Sequence, residues 1–280
     1  MTTVYVFPGQ GSQSIGMGIN LFSRYPEYSS AASNILGYSI EELCTKDSNQ
    51  QLNHTDFTQP ALYTVNALSY LAKVEDSGIT PDYVAGHSLG EYTALFAAEV
   101  FDFITGLKLV QKRGEIMAKA QGGGMAAIIG MEPSKIKDLL VSTGFDTIDI
   151  ANFNSPSQTV ISGLKQDITD VQEIFENAGV QMFVPLKVSG AFHSRYMKKA
   201  QDEFSEFLKT VLFKPPRITC IANYTAFAYT AEKTTEYLAQ QISNSVRWVE
   251  TIQLLKQKSD PVFEEVGPGK VLSKLITQIN

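Results

Sequence analysis

Two cysteines, Cys44 and Cys220, are all that this 280-residue chain contains, and neither stands in a Cys-x-x-Cys or Cys/His ligand spacing. That excludes a disulfide-stapled scaffold and a zinc site, and the pair reads as free thiols of a reducing, cytoplasmic setting. Long hydrophobic runs are missing as well, so no bilayer-spanning segment is expected. The start, Met1-Thr2-Thr3-Val4-Tyr5-Val6-Phe7-Pro8, has no basic segment leading into an apolar one, which argues against a secretory leader or an anchor. Positive charge is scarce: 23 Lys and Arg face 29 Asp and Glu, for a net charge of -6. Nucleic acid is therefore a poor partner, because such binding rests on basic charge, and an acidic protein partner must find a local basic patch. There is no internal repeat and no low-complexity stretch. Only three histidines are available for imidazole chemistry.

What is present is a globular composition, 44% hydrophobic and 19% charged, long enough for one large domain carrying a smaller one. Val4 to Phe7 reads as a buried strand entering the tight loop Pro8-Gly9. Gln59-Pro60 opens a long helix that stops at Gly78, with Ala61, Val65, Leu68 and Leu71 on one face. Pro81 to Gly86 gives a second strand, followed after Ser88 by a helical segment from Leu89 to Val100, and Asp102 to Gln121 is a further helix. The triplet Gly122-Gly123-Gly124 marks a boundary. Beyond it come strand (Met125 to Gly130), helix (Pro133 to Ser142), strands (Thr147 to Ala151, Gln158 to Ser162), helix (Asp167 to Ala178) and strand (Met182 to Val188). This βαββαβ order is that of a ferredoxin-like unit. The chain then returns to helix from His193 to Val211, with further strands at Ile218 to Ala222 and Pro261 to Val266.

Gly86-His87-Ser88-Leu89-Gly90 fits the G-x-S-x-G elbow, in which a sharp turn between strand and helix exposes a serine hydroxyl above the sheet. A neutral hydroxyl is a poor nucleophile and needs a base within reach. His87 adjoins the serine, but consecutive side chains at a turn diverge, so its expected role is structural; His54 lies in a polar stretch and reads as a surface residue. His193 sits where the chain breaks through Ser189-Gly190-Ala191-Phe192 into a new helix, a junction that can face a cleft. The Leu89 amide is placed by the elbow as an oxyanion donor, and the glycine-rich loop Pro8-Gly9-Gln10-Gly11-Ser12-Gln13 can supply a second.

Phe7-Pro8-Gly9-Gln10-Gly11-Ser12-Gln13, Thr58-Gln59-Pro60-Ala61, Gly86-His87-Ser88-Leu89-Gly90-Glu91-Tyr92, Arg113-Gly114, Asn152-Phe153-Asn154-Ser155-Pro156, Gly190-Ala191-Phe192-His193-Ser194 and Glu265-Val266-Gly267-Pro268-Gly269-Lys270 together strongly resemble the malonyl-CoA:acyl carrier protein transacylases. The finer resemblance, carried by Leu36-Gly37-Tyr38-Ser39-Ile40 and the helix after Pro60, is to the discrete acyltransferases that serve polyketide synthases in trans. It implies an α/β-hydrolase-like large domain (residues 1–123 and 190–280) with an inserted ferredoxin-like small domain (124–189). It implies Ser88 as nucleophile, His193 as general base, the amides of Gln10 and Leu89 as oxyanion hole, and the backbone carbonyl of Gln241 as the group that orients the histidine. Near there the chain departs from the usual pattern, with Ser245 where a proline commonly stands.

On its own Arg113, among Lys108, Lys112 and Glu115, reads as a solvated arginine; the resemblance makes it the residue that grips the malonyl carboxylate. Phe192 resembles the malonyl-selecting form of the family's motif. Malonyl-CoA and an acyl carrier protein are the implied partners, with no metal or bound cofactor, and a monomer is favoured. Lys187, Lys198, Lys199, Lys214 and Arg217 are candidates for docking the acidic carrier. The rival readings are a proofreading acyl hydrolase of the same fold, a malonyl transferase of fatty-acid synthesis, and a silent carrier-docking scaffold.

Overall fold

The computed structural model describes residues 1–280. In chain order its elements are β1 (Thr2–Phe7), α1 (Ile19–Arg24), α2 (Pro26–Leu36), α3 (Ile40–Thr45), α4 (Thr55–Ser77), β2 (Tyr83–Gly86), α5 (Gly90–Ala97), α6 (Phe103–Ala118), β3 (Gly123–Ile129), α7 (Pro133–Ser142), β4 (Asp149–Ser155), β5 (Gln158–Leu164), α8 (Lys165–Asn177) and β6 (Met182–Pro185). A short 3-10 turn then leads to α9 (Lys198–Leu208), β7 (Thr219–Ile221), α10 (Thr234–Gln241), α11 (Trp248–Lys256), β8 (Pro261–Glu265) and α12 (Val271–Ile276). No helix is long and apolar enough to cross a membrane.

The first sheet is parallel, in the order β7-β2-β1-β8. Side chains alternate along a strand, so Tyr5, Phe7 and Val84 enter a large core with α4, α5 and α6. Val4, Val6 and Ala85 enter a smaller one with Trp248, Ile252, Leu272 and Leu275. Burial on both faces is why β1 reads as an unbroken apolar run. The carboxyl ends of all four strands open onto one edge, where loops of an α/β sheet bind ligands.

The second sheet runs in the order β4-β5-β3-β6 with antiparallel pairs throughout. Ile136 and Leu140 of α7 and Ile168, Val171 and Phe175 of α8 cover one face; Met125, Ala127 and Val160 of the other face join the large core. Its strand β4 is tied to the segment after α10: Val246 N–H donates to Ala151 O at 2.8 Å, Phe153 N–H to Val246 O at 3.0 Å and Ser245 Oγ to Ile150 O at 2.6 Å. Both cysteines are buried and unpaired.

Several boundaries differ from the sequence reading. Helix α4 begins at Thr55, before Gln59-Pro60, and keeps Pro60 inside it. Its first turn is held by Thr58 Oγ1, which lies 2.6 Å from Leu52 O and 2.9 Å from His54 O. Gly123 and Gly124 are not a linker but the first residues of β3, paired with Leu164 and Gly163. Strand β4 extends to Ser155, beyond the expected Ala151, with register shifts at Ile150/Asn152 and Phe153/Ser155. Its polar Asn152 and Asn154 concealed it, because alternation in a strand is expected to put apolar side chains on the buried face. Strand β6 stops at Pro185, and Leu186 and Val188 turn instead toward the cavity described next.

Candidate active site

Strand β2 ends at Gly86, and the chain reverses through His87, Ser88 and Leu89 into α5. Ser88 takes φ +50, a left-handed conformation that costs a non-glycine residue on the order of 1–3 kcal/mol and persists only when its surroundings enforce it. Asn223, just beyond β7, does so: its Oδ1 accepts from the Ser88 N–H at 2.7 Å and its Nδ2 donates to Gly86 O at 2.6 Å. A side chain at Gly90 is excluded, since a Cβ there would fall 2.0 Å from Phe7 O. The sharpness of the elbow thus depends on how closely α5 starts against β1.

His193 also adopts a left-handed conformation, φ +58, and is 5% exposed. Its Nδ1 donates to the backbone carbonyl of Gln241 at 2.8 Å, which fixes the tautomer and leaves the Nε2 lone pair free. Ser88 Oγ stands 2.8 Å from Nε2 and donates to it. Burial, and then the positive charge of Arg113, push the imidazole pKa down to about 3. The resting ring is therefore neutral and able to accept a proton.

Arg113 lies on α6 with 1% of its surface exposed. Nη1 donates to Gln59 Oε1 at 2.7 Å, and Nη2 to Gln241 Oε1 at 2.9 Å and Ser88 Oγ at 3.2 Å. The guanidinium carbon sits 5.5 Å from the centre of the Tyr92 ring. None of these partners is a carboxylate; the Tyr92 hydroxyl is the further polar group beside the guanidinium. This is an unusual state for a buried cation, which normally sits opposite an anion.

Ser88, His193 and Arg113 share a cavity of about 100 Å³ that Gln10, Leu89, Met125, Asn152 and Phe192 also line. The backbone N–H groups of Gln10 and Leu89 make no hydrogen bond within the chain. Their two segments lie against each other: a Cβ on Gly9 would stand 2.3 Å from His87 O and 3.6 Å from Leu89 N. A wider cleft of about 750 Å³ borders His193 on another side, lined by Asp149, Arg195, Lys198 and Asn244 among others.

Six of the seven residues singled out in the sequence thus line one cavity, and the seventh, Gln241, stands behind it in contact with His193 and Arg113. The basic cluster does not gather in the same way. Lys214 and Arg217 are tied through their backbone to Val100 and Ala98, at the far end of α5 from Ser88. Lys198, half paired with Asp202, lines the wider cleft. His54 is exposed, as expected. His87 Nε2 donates to Asn154 Oδ1 at 2.8 Å, its ring edge-on to Trp248, linking the elbow to β4. Sequence reasoning assigned no role to Gln59, Glu91 or Asn223. Gln59 and Glu91 stood inside motifs already singled out, and Asn223 was marked only by following a parallel strand at its carboxyl end, where site residues gather.

A strained serine at a strand-to-helix turn, a neutral histidine within hydrogen-bond reach and two free amides beside them define an acyl-transferring or acyl-hydrolysing class of enzyme. Comparison with known proteins narrows this. A family model described as the acyl transferase domain matches residues 4–279. The chain is 54% identical over 276 residues to the polyketide biosynthesis malonyl CoA-acyl carrier protein transacylase PksC of Bacillus subtilis (strain 168), covering 98% of this chain and 96% of that protein. The crystal structure of malonyl CoA-acyl carrier protein transacylase from Burkholderia pseudomallei matches with a TM-score of 0.97 and 46% identity, over 100% of this chain and 98% of that one. A malonyl-transacylase solved in complex with its type II polyketide synthase acyl-carrier protein matches with a TM-score of 0.94 and 34% identity, over 100% of this chain and 93% of that one. The chain belongs to the malonyl CoA-acyl carrier protein transacylase family.

Proposed function

We propose that this enzyme moves a malonyl group from malonyl-CoA to the phosphopantetheine thiol of an acyl carrier protein through an ester on Ser88, acting in trans for polyketide biosynthesis. The observation that carries the malonyl assignment is Arg113: a buried guanidinium with no carboxylate partner, lining the cavity beside a serine and histidine and reaching Ser88 Oγ through Nη2. A substrate carboxylate supplies the missing counter-charge, and the planar fork is suited to holding it through charge-assisted hydrogen bonds.

The cycle has two matching halves. Ser88 Oγ attacks the malonyl thioester carbonyl while His193 Nε2 takes its proton, and the developing oxyanion is held by the amides of Gln10 and Leu89. When the C–S bond breaks, His193 returns the proton to the coenzyme A thiolate, leaving malonyl-Ser88. The carrier thiol then attacks the ester, gives its proton to His193, and Ser88 regains it as the product thioester departs. The Gln241 carbonyl keeps the ring in the tautomer that each half requires and stabilises the imidazolium formed in between. Phe192 narrows the cavity against an α-methyl branch, a discrimination of about 1–3 kcal/mol. The cycle calls on no bound cofactor. Lys198 and Lys199, near the cleft that borders His193, receive the acidic carrier.

In architectural terms we read residues 1–123 and 190–280 as an α/β-hydrolase-like domain, and 124–189 as an inserted ferredoxin-like domain. The second reading is supported by the βαββαβ order, antiparallel pairing and two helices on one face. The enzyme is proposed to work as a monomer in the cytoplasm. Timed mass spectrometry with malonyl-CoA and a phosphopantetheinylated carrier tests the function. Transfer predicts a carrier heavier by one malonyl group; free malonate with an unloaded carrier would make the protein a hydrolase.

A further inference from the structure

Glu91 lies in the first turn of α5 behind Ser88, fully buried, and has no role in the cycle above. Every contact it makes is with a donor: Oε1 accepts from the Asn223 N–H and the Tyr229 hydroxyl, each at 2.8 Å, and Oε2 accepts from the Gln241 side-chain amide. An acceptor-only arrangement is that of a carboxylate. Burial raises its pKa to about 7, against those donors and the nearby charge of Arg113.

The Gln241 side chain stands between this carboxyl group and the guanidinium. Its Nε2 donates to Glu91 and to Ser88 O at 2.8 Å, and its Oε1 accepts from Arg113 Nη2. Both its donors and one of its two acceptor directions are thereby assigned, and the amide cannot flip without setting donor against donor at Arg113 and acceptor against acceptor at Ser88. A carboxylate in direct contact with Arg113 would take the place that a substrate carboxylate needs. An amide in that position holds the guanidinium by Nη2 alone and brings no negative charge to it.

We propose that Glu91 and the side chain of Gln241 form a positioning pair for acyl selection: Glu91 orients the amide, and the amide holds Arg113 in place as a neutral spacer that keeps the protein's own buried carboxylate off the site of the substrate's. Gln241 then acts through two groups, its carbonyl on His193 and its side chain on Arg113. The inference rests on the malonyl-transfer reading.

The test compares kcat/KM for serine loading from malonyl-CoA and acetyl-CoA in the wild type, Arg113→Ala, Gln241→Glu, Glu91→Gln and the exchanged double variant E91Q/Q241E. Gln241→Glu puts a carboxylate on the guanidinium, and the ratio of malonyl to acetyl loading falls about tenfold or more, chiefly through the malonyl-CoA KM. Glu91→Gln turns a donor toward the Gln241 amide and lowers the same ratio. The double variant restores the total charge but leaves it against Arg113, so the ratio stays low; a pair serving only charge balance would recover the wild-type ratio there. If the wild type does not load malonate, the functional reading fails. If the wild type loads malonate and Arg113→Ala loses the preference while Gln241→Glu and Glu91→Gln keep it, only this inference is overturned. Should Gln241→Glu not fold, a wild-type ratio in Glu91→Gln alone overturns it equally.

Discussion

Replacing Arg113 with alanine removes the only cation in the cavity, and its consequences can be worked out from its neighbours. Bound malonyl loses a charge-assisted, two-point contact to its carboxylate in a buried setting, a loss of about 3–5 kcal/mol that corresponds to roughly two to four orders of magnitude in malonyl kcat/KM. Gln59 Oε1 and Gln241 Oε1 lose the donors that hold them at 2.7 and 2.9 Å, and Ser88 Oγ loses the 3.2 Å contact. Acetyl-CoA has no carboxylate to lose, and the vacated space is less hostile to a neutral methyl group, so acetyl transfer rises relative to malonyl. The assay is a competition: equimolar malonyl-CoA and acetyl-CoA, quenched at short times, with the acyl-enzyme masses counted. A swing from malonyl toward acetyl by about two orders of magnitude is expected. An unchanged malonyl preference in a folded variant would remove Arg113 from the substrate site and refute the reasoning.

Three further predictions follow from the same geometry. Because burial and Arg113 lower the His193 pKa to about 3, its neutral form survives as pH falls through 6.5, so single-turnover malonylation shows no inflection assignable to His193 between pH 8 and pH 5; an inflection near 6.5 that persists in Glu91→Gln, and so does not come from the Glu91 carboxyl raised to about 7, would contradict this. Asn223→Ala releases both ends of the elbow and leaves the part-buried Ser88 N–H and the buried Gly86 carbonyl without this partner, costing about 1–3 kcal/mol of stability and lowering loading from malonyl-CoA and acetyl-CoA alike; thermal melts and loading rates measure this, and an unaltered melt with unaltered rates would show that the elbow holds without it. Charge reversal at Lys198 and Lys199 raises the carrier's KM without altering malonyl-enzyme formation, whereas the same change at Lys214 and Arg217, at the far end of α5, leaves the carrier's KM as it was. Steady-state kinetics against the carrier separates the two pairs.

Much of this arrangement was legible because it is written in short local signals. A strand buried on both faces, such as Val4 to Phe7, reads as an apolar run, and the elbow announces itself by glycines on either side of Ser88. The βαββαβ unit was legible for the same reason, its helices alternating apolar residues at helical spacing against short strands. The misreadings are those where a residue serves something other than its own element. Pro60 has a place inside α4 because the helix already begins at Thr55, its first turn braced by Thr58, and Gly123-Gly124 mark a boundary by composition yet pair within a sheet. Asn152 and Asn154 break the apolar alternation of β4 because one lines the cavity and the other meets His87.

Arg113 is the sharpest case. Among lysines and a glutamate on its helix it has the look of a solvated residue, and only the packing of α6 against α4 and α5 turns it inward. Glu91 is hidden in the same manner, since an acidic residue in the first turn of a helix needs no further explanation than the helix dipole. Lys214 and Arg217 lie near His193 in sequence and apart from it in space, because β7 carries the chain back along the length of α5. Side-chain direction, rather than element type, is what a one-dimensional pattern withholds at this site.

Acyl transfer through the Ser88 hydroxyl leaves a covalent trace, which incubation with malonyl-CoA, acid quenching and peptide mapping by mass spectrometry detects. One malonyl group is expected on the peptide containing Ser88, absent from Ser88→Ala and discharged from the wild type on adding carrier. A wild-type enzyme that loads the carrier with no malonyl on that peptide, or a Ser88→Ala variant that loads it at the wild-type rate, would contradict it.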